Sequence, residues 1–185
     1  MRLFIAITLT DDVKDSLCET ISELRAVARR GRYTLRENLH LTLVFIGETN
    51  QVDDILDVME EICEEVLFKP IKISLSDAGV FKGRGGDLHW IGVENRPELS
   101  KLADSLSDGL RSAGFEIEKR RFTPHITIGR EITAFSGAGE DNFIRVSPAS
   151  MLADHISLMR SERVGGKLVY TEIASVHYYE KEEAK

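Results

Sequence analysis

The sequence predicts an α+β fold: a bilobal, pseudo-two-fold pair of antiparallel sheets with helices on the outer faces and a central cleft. Three observations carry this. Segments with the two-residue alternation of strands outnumber those with helical periodicity, and several are joined by short turns, which favours antiparallel sheets over a doubly wound parallel one. The pattern His-aliphatic-Thr-aliphatic occurs twice, as His40-Leu41-Thr42-Leu43 and His125-Ile126-Thr127-Ile128, with the histidines 85 residues apart. Each half of the chain holds a helix-rich segment and one such strand, a faint internal repeat. The organisation expected is a single domain, residues 1–185, of two intimate lobes.

The elements follow in order. Residues 2–9 alternate as a strand. Thr10 offers an N-cap, Asp11 and Asp12 suit the first helical turn, and Val13, Leu17, Ile21, Leu24 and Ala28 keep helical spacing as far as Gly31. A connector from Gly31 to Glu37 leads into a strand over Leu39–Gly47. A second helix runs from Val52 to Leu67, and Pro70 cannot continue it. Alternation resumes at Ile71, Ile73 and Leu75 and again, after a glycine-rich turn, at Leu88–Val93. Pro97 opens a third helix and Gly114 closes it. A strand through Phe122–Arg130 and an irregular segment with Gly137 and Gly139 come next. Two last strands, Met151–Arg160 and Lys167–Tyr179, are joined by a Gly165-Gly166 turn, and a charged tail from Glu180 is expected to fray.

Composition narrows the class. With 185 residues, 42% hydrophobic and 30% charged, the chain is an ordinary globular protein. No apolar run reaches the roughly 20 residues needed to span a bilayer, and the opening Met1–Ile7 reads as a strand rather than a signal core. Cys18 and Cys63 lack metal-like spacing and read as reduced thiols buried on helices, which points to a cytoplasmic protein. A net charge of −7 argues against a general nucleic-acid coat. It leaves room for a local basic cleft, for which Arg29, Arg30, Arg32, Arg36 and Lys119, Arg120, Arg121 are the candidate clusters.

Residues i and i+2 of a strand share a face. Each motif therefore points an imidazole and a hydroxyl one way and its aliphatics into a core. Two copies facing one cleft suit phosphodiester cleavage without metal. That reaction needs a base on the attacking oxygen, an acid on the leaving oxygen, and donors for the phosphoryl oxygens, and histidine and threonine supply these near neutrality. Which histidine is acid and which base stays open at this level. Arg130, five residues after His125, is the candidate cation for the phosphate. Neither motif carries an adjacent second metal ligand, so no metal or other cofactor is expected. His89, His155 and His177 have no motif partner. Gly83-Arg84-Gly85-Gly86 reads as a hairpin tip that could bring Lys82 and Arg84 near a polyanion.

Nearly the whole chain resembles the two-histidine (2H) phosphoesterase superfamily, specifically its RNA 2′,3′-cyclic phosphodiesterase, or 2′–5′ RNA ligase, family. The residues that carry this are Arg2–Ile7, Asn38–Gly47 around the first motif, Trp90-Ile91-Gly92, Arg121–Arg130 around the second, and a closing hairpin over Leu158–Tyr170. A tryptophan often found ahead of the first motif is absent, with Tyr33 nearby. The resemblance implies hydrolysis of a terminal RNA 2′,3′-cyclic phosphate to a 2′-phosphomonoester, with His40 as proton donor and His125 as proton acceptor. Thr42 and Thr127 would donate to the phosphoryl oxygens, and Arg130 would bind substrate. It also implies RNA ends, including tRNA halves, as partners, reversible 2′–5′ ligation, and a monomer away from membranes. The alternatives are a phosphodiesterase acting on 2′–5′ linked oligonucleotides or a small cyclic phosphate, and a binding module for nucleotides or RNA ends without turnover.

Overall fold

The elements in chain order are β1 (Arg2–Thr8), α1 (Asp11–Val27), β2 (Ala28–Tyr33), a 3-10 turn (Arg36–Asn38), β3 (His40–Glu48), α2 (Val52–Val66), β4 (Ile71–Phe81), β5 (Asp87–Val93), α3 (Pro97–Ser112), β6 (His125–Ala134), β7 (Ser150–Ala153), β8 (His155–Val164) and β9 (Lys167–His177). The computed structural model describes residues 1–66, 69–134 and 144–177. The segment around Gly137 and Gly139 and the charged tail lie outside the described residues. Two sheets form, a four-stranded one in the order β3-β1-β8-β9 and a five-stranded one in the order β2-β6-β5-β4-β7. Every strand pairing among the described residues is antiparallel. The α+β architecture read from the sequence is the one observed.

β1 explains the centre of the first sheet. Leu3 through Ile7 are all buried, because the strand is covered on both faces. Leu3, Ile5 and Ile7 join the main core, while Phe4 and Ala6 cluster with Met159 and Tyr170 on the other face. α1 packs on β2 and β6, whereas α2 and α3 pack on each other and reach β9 and β3. The main core draws residues from both sheets, Leu41 and Ile126 among them. In this arrangement β3 and β6, the two motif strands, approach one another.

The structure departs from the sequence-based expectation in four places. α1 stops at Val27, and the expected connector is instead β2, an edge strand paired with β6 through Arg30↔Thr133 and Arg32↔Arg130. Strand pairing overrides the helical spacing that Ala28 continued. A Cβ at Gly31 would lie 2.2 Å from Ile132 Cδ1, so a larger residue there would require the Ile132 side chain to move. β4 runs on to Phe81, well past Leu75, since its second half pairs with β5. β6 begins at His125 rather than Phe122. The segment expected as one strand over Met151–Arg160 is two: β7 pairs with β4, the chain crosses at Asp154, and β8 pairs with β1. Alternation persists across such a crossing, so periodicity does not reveal it. Thr10 does occupy the N-cap position of α1, but its side chain makes no capping bond.

One polar side chain clips two corners of the four-stranded sheet together. In register, Tyr170 belongs to the row of Ser161, Arg2 and Glu48, whereas Asn38 leads into the opposite end, where His40 pairs with Thr8. These diagonal corners meet. Asn38 Nδ2 donates to the Leu168 carbonyl at 2.9 Å, and the Tyr170 amide donates to Asn38 Oδ1 at 3.2 Å. The sheet is therefore curled. Asn38 is buried, at 6% exposure, so Asn38→Ala leaves a backbone donor and acceptor unpaired. The expected loss is about 1–3 kcal/mol in chemical denaturation, with Asn38→Asp intermediate because it keeps the acceptor. A loss in Asn38→Ala indistinguishable from zero would show that the sheet curls without this clip.

Candidate active site

The alternation in each motif is realised as expected. Leu41, Leu43, Ile126 and Ile128 are buried, while His40, Thr42, His125 and Thr127 are half-buried and line one cleft of about 540 Å³. Each strand begins on its histidine, and each imidazole is tied in the same way. His40 Nδ1 lies 2.7 Å from the Asn38 carbonyl, and His125 Nδ1 lies 2.7 Å from the Thr123 carbonyl. A carbonyl only accepts, so each Nδ1 carries the proton and each Nε2 is left as the working nitrogen. The two sites differ at that atom. The Thr42 hydroxyl donates to His40 Nε2 at 2.8 Å, whereas His125 Nε2 has no such partner among the described residues.

Aromatic rings hold both imidazoles. His40 sits between Phe4 (centroids 4.9 Å apart) and Tyr170 (5.1 Å, edge-on at 88°). His125 sits between Phe81 (5.5 Å, 88°) and Trp90 (6.0 Å). Trp90 lies flat on β4 because its cross-strand partner is Gly79, where a Cβ would fall 2.1 Å from the ring. Tyr33 lines the cleft with the Arg25 guanidinium 4.7 Å over its ring.

The electrostatics of the cleft run against those of the chain. Arg32, Arg120, Arg130, Arg163 and Lys167 line it, while Asp104, Asp108 and Glu118 line the adjoining pocket that shares Thr42, Arg120 and His125 with it. Arg32 pairs with Glu131, but no described carboxylate pairs with Arg130. Burial lowers the pKa of His40. The bond to the Asn38 carbonyl opposes this, and the charges of Arg130 and His125 add to the lowering. Tyr170 is pushed above its usual value, chiefly by burial.

All five residues singled out in the sequence thus meet in one cleft: His40, Thr42, His125, Thr127 and Arg130. Asn38, Phe4, Phe81 and Tyr170 were not singled out. The only sequence signal for them was the matching offset of Asn38 and Thr123, each two residues before its histidine. Of the basic clusters, Arg36 is held by Asp11 and Asp15, while Arg120 reaches the cleft with its guanidinium 5.8 Å from the Phe45 ring centre. The glycine-rich stretch is a hairpin tip closed by a Lys82–Asp87 ion pair. Cys63 is buried, its thiol pushed up to about 12 by burial. Cys18, expected buried, is only half-buried.

A lowered His40 pKa carries a sign. The imidazole is neutral in the free protein at pH 7, and an anion bound beside Arg130 favours its protonated form. Binding of sulfate, which does not itself titrate near neutrality, should therefore take up protons at pH 7. Calorimetry in two buffers of different ionisation enthalpy measures this, and His40→Gln should reduce the uptake. Binding without proton exchange in the wild type would show that the anion does not reach His40.

A family model described as the 2′-5′ RNA ligase superfamily matches residues 13–165. The chain is 37% identical over 131 residues to an RNA 2′,3′-cyclic phosphodiesterase of Archaeoglobus fulgidus, covering 70% of this chain and 72% of that one. It is 29% identical over 184 residues to a protein of the same name from Methanothermobacter thermautotrophicus, covering 94% and 96%. A crystal structure of a Thermus thermophilus protein superposes with a TM-score of 0.78 at 27% identity, covering 98% of this chain and all of that one. With the paired motif strands in place and the family model spanning most of its length, the chain belongs to the 2′-5′ RNA ligase superfamily.

Proposed function

We propose that this protein is a hydrolase that opens the terminal 2′,3′-cyclic phosphate of RNA to a 2′-phosphomonoester by metal-free acid–base catalysis. The observation that carries the reading is the pair of imidazoles, each locked at Nδ1 by the carbonyl two residues upstream, lining one cleft with Arg130 and four further cations. Binding alone does not need two titratable groups so held, which favours turnover over simple capture. The similar proteins from Archaeoglobus and Methanothermobacter are named for this activity. A basic cleft in a chain of net charge −7 suits an RNA end better than a neutral metabolite.

In the reaction, His125 Nε2 accepts a proton from water as the water oxygen bonds to phosphorus. The bond from phosphorus to the 3′ oxygen breaks, and His40 Nε2 donates the proton that this oxygen takes. The products are a 3′ hydroxyl and a 2′-phosphomonoester. His40 acquires its second proton when the anionic phosphate enters, since that charge opposes the burial and repulsion that keep it neutral beforehand. The Thr42 hydroxyl turns from His40 Nε2 to a phosphoryl oxygen, Thr127 meets another, and Arg130 supplies the charge. With the 5′ hydroxyl of a second RNA end attacking phosphorus in place of water, and its proton taken by His125, the same groups would form a 2′–5′ phosphodiester as the bond to the 3′ oxygen breaks, with tRNA halves as the candidate substrates. The two free, separate thiols support a cytoplasmic location, and we propose a monomer.

The decisive experiment is incubation of the full chain with an oligonucleotide ending in a 2′,3′-cyclic phosphate, in the presence of a chelator, followed by location of the product phosphate. We expect turnover to persist and the phosphate to remain on the 2′ oxygen. Loss of turnover on chelation, with recovery on adding zinc or manganese, would end the metal-free reading. His40→Ala and His125→Ala should each lower the rate by about 10²–10⁴-fold with the fold intact. Retention of more than roughly a tenth of the rate would remove that histidine from the mechanism. Thr42→Val and Thr127→Val keep shape and delete the donor, at an expected cost of about 1–4 kcal/mol each in transition-state binding. Arg130→Gln should act mainly on KM, and the wild type should lose affinity as salt rises.

A further inference from the structure

The row of residues that begins at His40 continues across the four-stranded sheet, away from the cleft. Thr8 pairs in register with His40, and on the next two strands His155 pairs with His177. The Thr8 hydroxyl lies 3.1 Å from His155 Nε2. Asp154, the residue at which the chain crosses between sheets, places Oδ1 2.6 Å from His155 Nδ1. The rings of His155 and His177 have centroids 5.0 Å apart. One donor atom from each of Asp154, His155 and His177 lies within 4.8 Å of the others. None of the three lines the catalytic cleft.

We propose that Asp154, His155 and His177 form a binding site for a divalent transition metal of the zinc class, distinct from the catalytic histidines. The ligands are His155 Nδ1, the Asp154 carboxylate and a ring nitrogen of His177, and water completes a four-coordinate shell. The metal takes the place of the proton now shared between His155 and Asp154. Thr8 makes that exchange possible without a buried orphan. Its hydroxyl donates to Nε2 while the proton is on Nδ1, and it accepts from Nε2–H once Nδ1 belongs to the metal. A hydrogen-bonded second ring nitrogen is the usual support of a metal-bound histidine.

The distances ask for a small adjustment. Ligand atoms of a tetrahedral zinc ion, bound at roughly 2.0–2.2 Å, lie about 3.3 Å apart, so the 2.6 Å between Asp154 and His155 must open. The Asp154 side chain is 64% exposed and can rotate to allow it. Two imidazoles and one carboxylate favour zinc, nickel, copper or cobalt over magnesium and calcium, which prefer an all-oxygen shell. A metal here joins the sheet crossing and the start of β8 to the end of the edge strand β9. It lies two strands from His40, roughly 10 Å across the sheet, and takes no residue from the reaction.

The test is titration of the full chain, first stripped by a chelator, with Zn²⁺ in a calorimeter and with Co²⁺ followed by visible absorption. One equivalent should bind, Co²⁺ should show the intense bands of a tetrahedral site, and Mg²⁺ should not compete. Asp154→Asn and His177→Ala, both at exposed positions, should each weaken Zn²⁺ binding at least tenfold. Both should leave turnover of the stripped enzyme on a cyclic-phosphate end unchanged. Absence of saturable binding up to about 100 µM, or equal affinity in the wild type and both variants, would overturn the site. Because binding is read without substrate, its failure is separable from any failure of the cyclic-phosphate reading.

Discussion

The bond from each imidazole Nδ1 to the carbonyl two residues upstream is the constraint on which the site depends. A carbonyl two positions before a histidine points at that ring only if the chain bends into the strand there. At the first motif the bend is the 3-10 turn ending at Asn38; at the second it is the approach through Thr123 and Pro124, after which β6 begins on His125. The bond fixes the tautomer and the ring plane together. Without it Nδ1 and Nε2 would compete for the cleft, and the proposed acid–base reaction would lose its geometry. Asn38 serves twice, offering its carbonyl to His40 and its side-chain amide to β9. One residue thus takes part in both the clip across the sheet and the aim of the imidazole.

Charge is organised against the average. The chain carries −7 overall, and much of its surface arginine is paired locally, as Arg36 is with Asp11 and Asp15 or Arg96 with Glu94. Arg130 is spared such pairing among the described residues, on a strand whose neighbour carries Arg32 directly opposite. Like charges facing each other across a pair of strands are unfavourable alone. Glu131 relieves the pair by taking Arg32, which leaves Arg130 for the cleft. An anion entering there meets an available charge rather than a salt bridge that must first be broken.

The site was legible in the sequence to the extent that it is local. An i, i+2 spacing within a strand fixes which side chains share a face, so His40 with Thr42 and His125 with Thr127 could be read directly. The fold class followed from periodicity for the same reason. What escaped is non-local. β2 begins on Ala28, the last residue of the helical pattern, and is an edge strand because it pairs with β6, a strand far along the chain. The break at Asp154 is invisible because alternation is the same in either sheet. Phe4 and Tyr170 come to flank His40 only because β1 pairs with both β3 and β8 and β8 pairs with β9, and no spacing rule links the three residues.

The two halves are alike in plan and unlike in detail, and the unlikeness matters for the chemistry. Opposite His40 across the strand pair stands Thr8, whereas opposite His125 stands Gly92, where a Cβ would meet Ser76 at 2.5 Å. His40 is enclosed by neighbours and already holds a hydroxyl at Nε2, while His125 faces the cleft with Nε2 unengaged among the described residues. A nitrogen with an unoccupied lone pair can receive a proton from water at once. A nitrogen that is buried, neutral and hydrogen-bonded becomes an acid only after an anion has changed its surroundings, which ties its protonation to the presence of substrate. The repeat supplies two equivalent histidines, and the different strands beside them are what would make His125 the base and His40 the substrate-dependent acid in the proposed reaction.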